Sequence, residues 1–240
     1  MDDHGLETFD RAEFLTERWD YQPGEHVTFL GPTGSGKTHL AYQVLQATAN
    51  PRLPALVLVM KPRDATARQW SKTLNMPIIR TYPPPLTIST LTNKKPPGET
   101  LWPRHVFNPD ADDLNMWKQF RPAILDSYKR GNRIVFADEV AGLEKDLGLT
   151  RELDTLWMRG RSMGTGLWAA SQRPRHISLN AYAQAAHLFL FKDPDKNNRD
   201  RFREIGGVDG DLVVDAVMSL GRHDALYIRR DGPALCIVAA

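Results

Sequence analysis

The chain has 240 residues, 41% hydrophobic and 25% charged, with a formal net charge of +2. Those proportions exclude a disordered chain and are enough for one sizeable α/β core, while the mild basicity permits a nucleic-acid partner without arguing for one. The single cysteine, Cys236, excludes an internal disulfide and, in a late apolar run, reads as a buried core thiol in a reducing compartment.

Residues 1–25 are a polar lead-in, in which Phe14, Leu15 and Trp19 can form a short amphipathic segment. It reads as a flap on the core, or as a cover for a bound base. The turn Tyr21-Gln22-Pro23-Gly24 leads into a buried strand over 26–30. Then comes Gly31-Pro32-Thr33-Gly34-Ser35-Gly36-Lys37-Thr38, which satisfies the phosphate-loop pattern G-x-x-x-x-G-K-[ST] at every specified position. Behind it, Leu40, Val44 and Leu45 share one face of a helix over 39–46. Strand, glycine loop and helix N-terminus together make an anion site, because backbone N–H groups and the helix dipole point at the same spot. Lys37 is the candidate for the β/γ-phosphates and the Thr38 hydroxyl the candidate for Mg²⁺, which predicts ATP and Mg²⁺ as ligands.

A second buried strand is expected over 55–60 and a helix over 65–74. Residues 77–105 hold seven prolines (77, 83, 84, 85, 96, 97 and 103) and read as an excursion without helix or central strand, a short strand over 78–82 apart. Either a surface insertion or a contact to DNA or another subunit fits that stretch. A helix follows over 110–130, with Trp117, Phe120, Ile124 and Tyr128 on one face and Gly131 as its stop. Next is an apolar strand over 133–137 that runs into Asp138-Glu139. Further elements are a helix over 150–163, a strand over 167–171, a helix over 180–186, a strand over 187–192 and a charged helix over 197–205. Strands at 225–230 and 234–238 join across Asp231-Gly232-Pro233 as a hairpin. Strands alternating with helices predict an α/β fold with a largely parallel sheet and a C-terminal β-hairpin. The expected organisation is one ATPase domain over 1–240, with the lead-in, the Pro-rich excursion and a hairpin extension over 206–240 as its appendages.

Asp138 ends an apolar strand, where a carboxylate can hold Mg²⁺, and Glu139 beside it is the candidate general base for water. An adjacent glutamate points to ATPases with an extra strand between the two motif strands. The strand ending at Ser171 fits that place, and Gln172 at its tip is the candidate γ-phosphate sensor.

The run Arg159-Gly160-Arg161-Ser162-Met163-Gly164-Thr165-Gly166-Leu167-Trp168-Ala169-Ala170-Ser171-Gln172-Arg173-Pro174 resembles the sensor region of the FtsK/HerA superfamily. With residues 31–38 and Asp138-Glu139, the resemblance covers roughly 24–192. It implies a RecA-like core, a pentameric or hexameric homo-oligomeric ring, and double-stranded DNA moved by ATP hydrolysis. It also implies an arginine finger acting in trans, with Arg161 at the matching place and Arg159 in reserve. The compact layout is similar to viral and phage genome-packaging ATPases, for which a portal or capsid vertex would be a further partner. Lys61 stands where many relatives have an acidic residue. Candidate DNA contacts are Lys94, Lys95, Lys145, Arg151, Arg173 and Arg175. The alternative is a conjugation, secretion or protein-remodelling ATPase. With no run of about 20 apolar residues and an acidic N-terminus, no membrane segment is expected. The expected location is cytoplasmic, the host cytoplasm if the chain is phage-encoded.

Overall fold

The computed structural model describes residues 5–85, 95–231 and 234–240. Its strands are β1 (Glu7–Asp10), β2 (His26–Leu30), β3 (Ala55–Leu58), β4 (Ile78–Ile79), β5 (Gly98–Leu101), β6 (Arg133–Ala137), β7 (Thr165–Ser171), β8 (Ala185–Phe191), β9 (Ala225–Arg229) and β10 (Ala234–Ala239). They form one sheet in the order β1-β10-β9-β8-β2-β7-β6-β3-β5-β4. From β8 to β4 every pairing is parallel, and β9 runs antiparallel to both β8 and β10. All residues of β2, β3, β7 and β8 are buried, as continuous apolar strands covered on both faces must be.

The helices are α1 (Arg11–Glu17), α2 (Lys37–Thr48), α3 (Ala65–Thr73), α4 (Pro109–Arg130), α5 (Val140–Lys145), α6 (Thr150–Arg159), α7 (Asn180–Ala183), α8 (Lys196–Arg203) and α9 (Gly210–Ser219). Residues of α1, α2 and α3 pack on one face of the sheet, with Phe29, Trp70, Phe136 and Trp168. Residues of α4 to α9 pack on the other, with Phe120, Ile124, Leu156, Trp157 and Phe202. The result is a three-layer α/β/α arrangement whose sheet lies between two apolar clusters.

β7 pairs with β2 on one side, Leu30 opposite Ser171, and with β6 on the other, Ala137 opposite Ala169. The expected additional strand is therefore in place. In a parallel sheet the carboxyl ends of β2, β7 and β6 share one edge, so the glycine loop, Gln172 and Asp138-Glu139 meet there.

Several expectations need correction. The Pro-rich stretch does contribute to the sheet: β5 is held between β3 and β4. The tetrapeptide Gly98–Leu101 contains no proline, so it keeps every donor its ladder needs. The lead-in is an edge strand plus a helix, and Phe14 is fully buried, so it is part of the core. The 206–240 extension contains α9 besides the hairpin, whose turn residues 232–233 lie outside the described residues. The helix over 150–163 ends at Arg159, and a short 3-10 turn over Arg161–Met163 follows. Of the expected α4 stripe, Phe120 and Ile124 are fully buried, whereas Trp117 remains 38% exposed under the Arg121 guanidinium. Cys236 is buried as expected, and that burial pushes its thiol up to about 11.

Candidate nucleotide site

The loop between β2 and α2 alternates in hand. Gly34 (φ +78°) and Gly36 (φ +94°) take left-handed backbone conformations that side chains resist, and Gly36 caps α2. Lys37 opens the helix, so its neighbours' N–H groups point out of the helix end, with no acidic residue in the first turn to neutralise them. A Cβ on Gly36 would meet the His223 side chain at 3.2–3.3 Å, so the loop lies against the connection from α9 to β9. Among the described residues the Ser35 hydroxyl is buried without a hydrogen-bond partner, and the Lys37 ammonium reaches only the Pro32 carbonyl, at 3.3 Å. Burial lowers the Lys37 pKa, and Asp138 and Glu139 partly restore it. A cradle of unused donors is what an oxyanion would fill.

Thr38 Oγ1 donates to Asp138 Oδ1 at 2.8 Å, joining the helix start to the end of β6. Two hard oxygen donors at that spacing suit Mg²⁺, whose octahedral ligands at roughly 2.0–2.1 Å lie about 2.9 Å apart. Asp138 Oδ2 also lies 3.5 Å from the Lys61 ammonium, which is itself 3.5 Å from Asp64. Burial acts to lower the Lys61 pKa, but Asp138 and Asp64 outweigh it and the net direction is upward. Glu139 Oε1 accepts from the Ser171 hydroxyl at 3.2 Å. Burial raises the Glu139 pKa; Ser171 and Lys37 oppose the rise. A carboxyl moved toward neutrality is better matched to taking a proton from water. Gln172 Oε1 accepts from Thr33 Oγ1 at 2.5 Å and so links the tip of β7 to the tip of the glycine loop. A cleft of about 290 Å³ opens between Glu139, Gln172, Arg173, Gly142, Lys145 and His176.

The predicted residues thus divide. Residues 31–38, Asp138, Glu139 and Gln172 converge at one edge. Lys145 and Arg173 line the adjoining cleft, Lys145 Nζ being 3.0 Å from His176 Nδ1. Arg175 and Lys95 are exposed, Arg151 is exposed on α6, and Lys94 lies outside the described residues. Arg159 and Arg161 precede β7, whereas Gln172 follows it; seven residues at roughly 3.3 Å each put them about 23 Å from their own chain's site. Arg161 is exposed and pairs with Asp231 at 3.3 Å. Sequence reasoning passed over Lys61 and Ser171 as members of the site. Ser171 ends β7 and Lys61 lies three residues past the end of β3, the two strands that neighbour β6, and that position is the signal by which they could be found.

The sheet order and loop define the class: a RecA-like P-loop NTPase fold of the additional-strand type. No protein-family profile and no curated protein sequence matches the chain. Solved structures do. B204, the genome-packaging NTPase from Sulfolobus turreted icosahedral virus 2, in complex with sulfate, is similar at 16% identity over 91% of this chain and 97% of that one, with a TM-score of 0.61. B204 is also known in complex with AMPPCP and with ATP-γS. VirB4 of Thermoanaerobacter pseudethanolicus is similar at 10% identity over 90% of this chain and 89% of that one, with a TM-score of 0.64. The conjugation coupling protein TcpA of pCW3 follows at 15% identity, 95% of this chain, 61% of that one and a TM-score of 0.52. At these identities the likeness is one of fold.

Proposed function

We propose that this chain is an ATPase subunit of a homo-oligomeric ring, a pentamer or hexamer, that moves double-stranded DNA, with phage genome packaging at a portal or capsid vertex as its setting. The observation that carries the hydrolytic part is the Thr38–Asp138 contact at 2.8 Å with Glu139 beside it. Residues 31–38 hold the phosphates, and Lys37 meets the β/γ-phosphates. Thr38 and Asp138 would hold Mg²⁺, which would supply positive charge to offset that of the phosphates. Glu139 takes the proton of the attacking water, and Gln172 contacts the γ-phosphate or that water. Arg161, with Arg159 in reserve, serves a neighbour's site. Their distance from their own site supports that reading, because only a second subunit can bring them to a nucleotide. Among the described residues no helix is long and apolar enough to cross a membrane.

The packaging setting draws support from the fold shared with B204 over nearly the whole of both chains. The fold shared with VirB4 and TcpA favours conjugation or secretion as the second reading. The test is phosphate release by purified protein with and without duplex DNA over a salt series. We expect stimulation by DNA that fades as salt rises. Turnover indifferent to DNA, with no assembly on it, would remove the DNA-moving reading.

A further inference from the structure

The sheet edge formed by β4 and β5 carries a group of side chains that the nucleotide site does not use. Trp102 directly follows β5 and is buried. The guanidinium carbons of Arg68 and Arg80 each stand 5.3 Å from its ring centroid. Arg80 also donates to the Trp102 carbonyl at 2.8 Å. Partial burial lowers the Arg80 pKa, and the like charges of Arg68 and Arg104 lower it further, so the three cations share one field. Among the described residues, none of Arg63, Arg68, Arg80 and Arg104 has a carboxylate at ion-pair distance. Like charges gathered without a counter-charge repel one another, and an anion among them relieves the repulsion.

Beside them, Val106 and Phe107 stand 69% and 70% exposed. Phe107 has φ +61°, a left-handed conformation that is strained for a bulky residue. The buried Asp112 carboxylate holds it there by accepting from the Val106 and Phe107 amides at 2.7 and 3.0 Å. The Arg63 guanidinium lies 6.0 Å from the Phe107 ring. An apolar tip is thus fixed in solvent next to guanidinium groups that have no carboxylate at ion-pair distance among the described residues. Guanidinium forks match phosphate oxygens, and cations spread along an edge suit a regular row of phosphates. The surface also borders the nucleotide site, because Trp102 Nε1 donates at 2.8 Å to the carbonyl of Lys61, whose ammonium faces Asp138.

We propose that the surface around Trp102, comprising Arg63, Arg68, Arg80, Arg104 and the Phe107 tip, holds the phosphate backbone of duplex DNA; this rests on the DNA-moving reading above. The test is fluorescence anisotropy of a labelled duplex of about 30 base pairs with the full chain over a salt series. Each phosphate contact contributes about 0.9 to the slope of log K against log salt. Changing all four arginines to Gln is expected to flatten the slope by about 3.6 and to weaken binding about tenfold or more at low salt. Changing the same four to Lys keeps the charge and is expected to keep the slope. Phe107→Ala is expected to weaken binding severalfold with the slope unchanged. Circular dichroism and thermal unfolding report on folding. If the fourfold Gln variant does not fold, Arg63→Gln with Arg104→Gln carries the test, with about half the change in slope.

Wild-type slope and affinity in a folded Gln variant overturn the surface and leave the DNA-moving reading standing. Wild-type protein without duplex affinity overturns both. A Gln variant that keeps its DNA affinity but loses self-association in sedimentation overturns the proposal and assigns the surface to a neighbouring subunit.

Discussion

The two ends of the central strands differ in what their buried polar groups meet. At the amino ends of β2 and β7 one buried polar network is matched, although His26 Nε2, Trp157 Nε1 and Trp168 Nε1 near it are buried without a partner among the described residues. His187 is fully buried between Glu25 Oε2 at 3.0 Å and the Tyr227 hydroxyl at 2.8 Å. Trp19 and Tyr21 pack over it, with Trp168 beside them. At the carboxyl ends the polar groups are close but under-matched. Among the described residues Ser35 Oγ has no partner, Lys37 reaches one carbonyl, and Glu139 meets the Ser171 hydroxyl and the Gln172 backbone. Buried polar groups without partners weaken a fold. The Glu25–His187–Tyr227 network therefore favours the fold, and the carboxyl end is the part whose remaining partners a nucleotide would supply.

Breaking the carboxyl end should abolish chemistry and spare the fold. Glu139→Gln keeps the size and the acceptor that meets Ser171 but removes the proton acceptor. Turnover is expected to fall by about 10²–10⁴ while nucleotide binding and the melting temperature stay near wild type. Phosphate release and equilibrium binding of a fluorescent ATP analogue report the two quantities. Unchanged turnover would take Glu139 out of the base role.

Breaking the amino end should do the reverse. Glu25→Ala leaves the buried His187 without its carboxylate and the part-buried Gln22 amide without its 2.6 Å acceptor. Leaving a buried hydrogen-bonding group without its partner costs about 1–3 kcal/mol. Urea unfolding should show that loss, with nucleotide affinity retained under native conditions. A loss below about 1 kcal/mol would mean that water replaces the carboxylate and that this end is less closed than its packing suggests.

The two ends also differ in how far the sequence disclosed them. Residues 31–38, Asp138-Glu139 and Gln172 were legible because their chemistry requires fixed spacing within single strand–loop units. The additional strand could be placed between β2 and β6 because the residue at its tip only makes sense there. The amino end joins Trp19, Glu25, His187 and Tyr227, which are spread over 209 positions and leave no local pattern. β5 was hidden by its flanking prolines, since composition over 77–105 outweighed four residues whose β-pairing depends on β3. α9 was missed although Asp209 caps it through the amides of Asp211 and Leu212 and Val213 and Val217 mark its buried face. Those signals were local and sufficient, and the glycines on either side obscured them.

A smaller and more specific effect separates the ends by pH. His26 begins β2 at the amino end, and its Nδ1 accepts the Leu167 amide at 2.9 Å. A proton on that nitrogen would set two donors against each other. Burial pushes its pKa down to about 4, and the positive charge of Arg161 adds to the shift. In the unfolded chain the ordinary value is 6.5. Above pH 6.5 both states are neutral and this residue contributes no pH dependence. As pH falls from 6.5 to about 4, the unfolded chain takes up a proton that the native state refuses, so stability falls with pH. Integrated over that window the loss is about 3 kcal/mol, and below pH 4 the term no longer changes. His26→Gln keeps an acceptor for Leu167 and cannot titrate. Between pH 7 and pH 4.5 wild type should therefore lose about 2–3 kcal/mol more than the variant by urea unfolding, since the carboxylates common to both cancel in the difference. Parallel curves would show that imidazolium is accommodated at this end. The dry, matched character assigned to it would then hold for the Glu25–His187 pair alone.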